Sequence, residues 1–246
     1  MKPTPTFPPE PPGRILAFGA HPDDIEFGCG GVIARETQAG HAAHFVVGSR
    51  GEAATHGTPE QRAAEAAAGA AALGATLAFM ELGGDAHFAF DLGRVLALAG
   101  IIREFRPTVV LAPTPMENQH PDHAVLGRLV RDAARLARYG GVAELRDLAP
   151  HAISSLLYYA VTPDAEFTGR SAVLIDVSAP AVLSAWTKAM EAHQSQQATR
   201  NYVELQLARA RLHGLQGGTG HAIALWPNDS LVFSSLGALG RAARNF

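Results

Sequence analysis

The stretch Gly19-Ala20-His21-Pro22-Asp23-Asp24-Ile25-Glu26-Phe27-Gly28-Cys29-Gly30-Gly31 follows directly on the apolar run Ile15-Leu16-Ala17-Phe18. A buried strand ending in a histidine and two adjacent carboxylates places its polar groups where a parallel sheet opens its ligand crevice. Glycines after a first strand also occur in dinucleotide-binding turns, but that fingerprint puts G-x-G-x-x-G in the turn itself. Here the turn holds His21-Pro22-Asp23-Asp24, whose negative charge repels a pyrophosphate. Gly28, Gly30 and Gly31 are therefore read as close packing of the first helix against the sheet or against a substrate.

Outward from this stretch, short apolar runs alternate with helical patterns. Ile15–Phe18, His44–Val47, Leu77–Met80 and Val109–Leu111 are brief and bounded by Gly, Pro or Ser, which suits buried strands. Val32–Ala39, Pro59–Leu73, Leu92–Phe105 and His123–Arg138 have helix-forming composition. Further strands are expected at Leu156–Val161 and Ala172–Val177. A long helix should follow from Ala179 to His213, with a break near Ser195, and Ala222–Leu225 plus Ser230–Phe233 should close the sheet. The pattern predicts an α/β, Rossmann-like single domain with a mostly parallel sheet and helices on both faces. Residues 1–13, MKPTPTFPPEPPG, read as a Pro-rich extended arm, and residues 14–246 as the domain.

Composition narrows the function. The 246 residues carry a formal charge of −3, with acidic and basic residues mixed along the chain, so there is no basic stripe for nucleic acid. No apolar run reaches the roughly 20 residues of a membrane span, and the arm has no apolar core of a signal peptide, which together predict a cytoplasmic protein. The single cysteine, Cys29, permits no internal disulfide or thiolate cage, so a metal must be held by nitrogen and oxygen. Apolar surface segments would permit a homo-oligomer.

His21-Pro22-Asp23-Asp24 after the first strand recurs as His120-Pro121-Asp122-His123 after the fourth. Strands one and four flank the point where a doubly wound strand order reverses, so the two loops should face each other. Each proline keeps the histidine before it extended and suits the first turn of a following helix. Side-by-side Asp23 and Asp24 repel each other unless a cation relieves them. His21, His123 and Asp24 make a two-histidine, one-carboxylate set with a coordination position left open, the pattern of catalytic zinc, although iron or cobalt suits the same donors. Asp23 is then the candidate general base. His120 could donate to an oxyanion or a leaving amine, and Asp122 could orient one of the imidazoles.

These segments, with Ser49-Arg50-Gly51-Glu52 after the second strand, resemble the LmbE-like, or PIG-L, zinc-dependent de-N-acetylases. The resemblance implies one zinc at His21, Asp24 and His123, Asp23 as base and His120 as acid or oxyanion partner. Gly57-Thr58, Arg62 and Glu65 look like the family's loop and helix after strand two, and Lys188–Gln196 like its K-x-x-A-x-x-H-x-S-Q segment. Asp85 sits where the family often has a sugar-contacting aspartate. Asn118 stands where some relatives have a tyrosine, which leaves a tyrosine-based oxyanion role without its side chain. Arg50, a planar five-donor fork after a strand end, suits substrate hydroxyls or an anionic aglycone, and Arg62 suits either that role or a plain ion pair. The implied reaction is removal of the N-acetyl group from an N-acetylglucosamine-type sugar or conjugate, such as its malate or inositol glycoside or a chitooligosaccharide. A metal-dependent hydrolase of another small amide, or a sugar-binding protein without turnover, stays as the alternative.

Overall fold

The computed structural model describes residues 13–117, 120–197, 200–233, 235–236, 240 and 242. Residues 1–12 of the expected arm lie outside the described residues. The chain runs β1 (Arg14–Gly19), α1 (Asp24–Gln38), β2 (Ala42–Val47), α2 (Pro59–Ala72), β3 (Thr76–Phe79), α3 (Leu92–Phe105) and β4 (Val109–Pro113). It continues through α4 (Pro121–Ala137), β5 (Ser155–Tyr159), β6 (Val173–Asp176), α5 (Pro180–Glu191), α6 (Tyr202–Gly217) and β7 (Ala222–Pro227). The seven strands lie in the order β3-β2-β1-β4-β5-β7-β6. The first five in that row are parallel, and β7 runs antiparallel between β5 and β6. This is the expected α/β fold.

Alternation along β1 decides which face each residue serves. Ile15 and Ala17 enter a core with Ile33 of α1 and Val182 and Trp186 of α5, while Leu16 and Phe18 enter a second core with Leu98 of α3 and Leu129 of α4. Both faces are covered, which explains why the strand reads as one apolar run. Among the described residues no helix is long and apolar enough to cross a membrane.

The structure corrects two boundaries and bears out a third. The first helix begins at Asp24, well before Val32, and its glycines lie inside it. They permit contact closer than any side chain would: an added Cβ at Gly28 would stand 2.2 Å from the Tyr159 ring, at Gly30 2.8 Å from Trp186 and at Gly31 2.9 Å from Ile223. Tertiary packing thus outweighs the roughly 1 kcal/mol that each glycine costs a helix. These glycines meet the sheet and α5, with no role left for substrate. The helical stretch expected from Ala179 does break near Ser195: α5 and α6 are separated by a segment that holds a 3-10 turn at Gln194–Gln196. Ser230–Phe233 is not a strand; β7 is the single segment Ala222–Pro227, inserted between its neighbours.

Tyr159 is fully buried and donates its hydroxyl to the Phe18 carbonyl at 2.7 Å, so its ring cannot yield at low cost. Gly28→Ala should therefore lower unfolding free energy by about 2 kcal/mol, the scale of overpacking a close-packed interior, read from the denaturant midpoint at unchanged m-value.

Candidate metal and catalytic site

β1 and β4 are adjacent and parallel, so the chain leaves both at the same edge of the sheet. After β1 the loop folds around its own carboxylate. Asp24 Oδ2 accepts the backbone N–H groups of Ala20 at 2.8 Å and His21 at 2.9 Å, and α1 starts at that residue. After β4, α4 starts at Pro121, and His120 caps it by accepting the Asp122 N–H on Nδ1 at 3.3 Å. Asp23 sits between these elements with φ of 111°, a conformation that side-chain-bearing residues rarely adopt and that surrounding structure must hold.

Three donor atoms converge across the two loops. His21 Nδ1 lies 3.1 Å from His123 Nε2, and Asp24 Oδ1 lies 3.0 Å from the same His123 nitrogen. His21 Nδ1 stands 3.6 Å from Asp24 Oδ2. Ligand atoms around a tetrahedral ion with bonds near 2.1 Å stand about 3.4 Å apart, so the set fits a small divalent metal. The hydrogen bonding of His21 agrees with that fit. Its Nε2 lies 3.0 Å from Asp85 Oδ1 and 3.3 Å from Asp122 Oδ2. Carboxylates accept only, so Nε2 donates to them; burial would lower the His21 pKa, but these acceptors raise it, and a metal at the converging set would take the Nδ1 position.

The two carboxylates are fixed in turn. Asp122 accepts from Ala86 N at 2.7 Å and Phe88 N at 3.2 Å, and Asp85 Oδ2 accepts from Ala53 N at 3.3 Å. Neighbours also separate the two adjacent aspartates electrostatically. Burial would raise the Asp24 carboxyl, but His123 and His21 beside it hold it well below its usual range. Burial and the charge of Asp24 push Asp23 up to about 6, against the opposing pull of Arg62. Burial, helped by the neighbouring His21 and His123, lowers His120, which stays neutral at neutral pH.

A cavity of about 510 Å³ opens over these groups, lined by His21, Asp23, Asp24, Asp85, His120 and His123 together with residues from the second half of the chain. Asp122 supports His21 from behind. Arg50 stands apart: its side chain is 44 % exposed, lies over the Phe79 ring at 4.6 Å and pairs with Glu81 at 3.7 Å. Asn118 lies outside the described residues.

Sequence reasoning missed the link between Arg62 and Asp23. Arg62 is buried, and its Nη2 donates to Pro22 O at 2.9 Å and to Asp23 Oδ2 at 3.2 Å. Gly51 has φ of +71°, and a Cβ there would fall 1.9 Å from Arg62 Nη1, so this glycine clears the guanidinium's path. The H-x-S-Q segment also has a place. His193, fully buried, lies 3.3 Å from Glu26 Oε1, and Ser195 donates N–H and hydroxyl to Glu65 at 3.0 and 2.6 Å, tying the α5–α6 connection to α1 and α2.

The family model described as GlcNAc-PI de-N-acetylase, PIG-L, matches residues 16–134. A diacetylchitobiose deacetylase of Thermococcus kodakarensis is 27% identical over 195 residues, 74% of this chain and 70% of that protein. A 4-oxalmesaconate hydratase of Pseudomonas putida is 29% identical over 143 residues, 53% of this chain and 55% of the relative. Among solved structures, a conserved protein of Thermus thermophilus superposes with a TM-score of 0.79 at 29% identity, covering 93% of this chain and 99% of the other.

Metal analysis after loading with a divalent ion should find one ion per chain, lost in His21→Ala, Asp24→Ala and His123→Ala but kept in Asp23→Asn. Asp122→Asn, which weakens the hold on His21 Nε2, should lower affinity about 10- to 100-fold in a chelator competition.

Proposed function

The chain belongs to the PIG-L, LmbE-like family, and from that premise we propose that it is a zinc-dependent N-deacetylase of an N-acetylglucosamine-type sugar or conjugate. The carrying observation is the convergence of two imidazole nitrogens and one carboxylate oxygen in a cavity that a second, separately held carboxylate also lines. His21, Asp24 and His123 would hold the ion, which when bound supplies Lewis acidity toward an acetamide carbonyl and acidifies water.

The remaining chemistry belongs to the protein. Asp23 takes the proton of the attacking water. At about 6 it is ionised at neutral pH yet a stronger base than an ordinary surface aspartate. Arg62 holds Asp23 Oδ2 at 3.2 Å and so fixes the direction in which the carboxylate accepts. His120 uses Nδ1 to accept the Asp122 N–H, so its neutral ring carries the proton on Nε2. That N–H donates to the oxygen where negative charge develops during attack. Asp23 then delivers its proton to the leaving nitrogen, and acetate and a free amino sugar depart.

Acetate and free amine should appear when the zinc-loaded protein meets a panel of N-acetylglucosamine conjugates. Asp23→Asn should lower kcat by about 10²- to 10⁴-fold with metal content intact, and His120→Gln by about 10²-fold. Absence of free amine from every acetylated sugar, with release from some other small amide, would replace the sugar reading by the broader amidase one.

A further inference from the structure

We propose that the cavity wall built by the second half of the chain is a subsite for an uncharged sugar-like unit, so that the substrate carries no carboxylate or phosphate beside its N-acetylated ring. The inference rests on the deacetylase reading of the same cavity. Three observations support it, and they concern different groups.

The first is shape and surface. Tyr202, half-buried, lines the cavity and is backed by buried Phe27, with ring centroids 5.5 Å apart and planes inclined by 32°, so that a held tyrosine ring is available to the C–H face of a pyranose. The second is an unmet hydrogen bond. Thr162 lines the cavity, and its Oγ1 is buried with no partner among the described residues. A buried hydroxyl left unpaired costs on the order of 1–3 kcal/mol, which a ligand hydroxyl would relieve. Beside it are neutral amides already held in place: Gln196 Nε2 donates to His56 O at 3.0 Å, and Gln206 Nε2 to Val161 O at 2.8 Å.

The third is charge. Among the described residues lining the cavity, Arg62 is the only arginine or lysine, and it is engaged by Pro22 O, Gly51 O and Asp23 Oδ2. Arg50 faces Phe79 and Glu81 outside the cavity. Three carboxylates, Asp23, Asp24 and Asp85, line the same space. An anionic aglycone would lose its hydration there without gaining a guanidinium fork, while a neutral sugar loses nothing comparable. Exposed Arg200 has its guanidinium carbon 5.8 Å from the Tyr202 ring centroid, and the experiment addresses it directly.

Zinc-loaded Asp23→Asn protein, titrated calorimetrically with N,N′-diacetylchitobiose and with N-acetylglucosaminyl malate, should bind the disaccharide roughly tenfold or more tightly than the malate conjugate. Wild-type kcat/KM should show the same order. Thr162→Val and Tyr202→Ala should raise KM for the disaccharide about 3- to 10-fold with kcat nearly unchanged, and Tyr202→Phe, which keeps the ring, should restore it. Equal or tighter binding of the malate conjugate would overturn the proposal, most directly if Arg200→Ala abolished it, as would unchanged KM in the Thr162 and Tyr202 variants. The two readings fail separately. Selective disaccharide binding without acetate release would sink the deacetylase and keep the subsite. Equal release from neutral and anionic substrates would keep the deacetylase and sink the subsite.

Discussion

Parallel pairing of Ile15 with Val109, Leu16 with Val110 and Ala17 with Leu111 brings two loops that are about a hundred residues apart in sequence to one edge of the sheet. Every polar arrangement at that edge depends on this pairing. A register slip of one residue would turn the β1 side chains to the opposite core and displace His21 from His123. The two cores hold the register from both faces, since Ala17 and Ile15 pack on one and Leu16 and Phe18 on the other. Hydrophobic packing far from the chemistry therefore sets distances of 3.0 and 3.1 Å between donor atoms.

Around the donors, each side chain is oriented by a partner whose own position is fixed. Asp24 is gripped by the backbone of the loop it terminates, and His21 by two carboxylates that accept backbone N–H groups in their turn. Asp23 occupies an unfavourable backbone conformation, with Arg62 bonded both to its carboxylate and to the preceding carbonyl. Of the adjacent pair Asp23 and Asp24, the strain falls on the one that donates no oxygen to the converging set, and the guanidinium that spans Pro22 and Asp23 holds it there.

Strand order around the switch point was legible because strand-terminal histidines and carboxylates are uncommon, and their repetition marked two loops as neighbours. What stayed hidden depended on contacts distant in sequence. Glycines inside α1 mimic a loop until Tyr159 and Trp186 are seen against them. The antiparallel insertion of β7 between β5 and β6 follows from no local pattern, because its pairing partners are strands distant in sequence. Arg50 and Arg62 look alike as residues, and only the fold sends one onto Phe79 and the other onto Asp23. Asp85, expected against a sugar from family resemblance, turns its Oδ1 to His21, a contact that no spacing in the chain announces.

The converging donors, Asp23 and Arg62 come from residues 21–123, inside the segment that matches the family, whereas Val161, Thr162, Gln196, Tyr202 and Gln206 lie beyond residue 134 where that match ends. The converging donors and one wall of the cavity above them thus come from different halves of the chain. A substitution in the later half can therefore reshape that wall while the converging donors stay where the sheet register puts them, so the two parts of the cavity are free to vary independently.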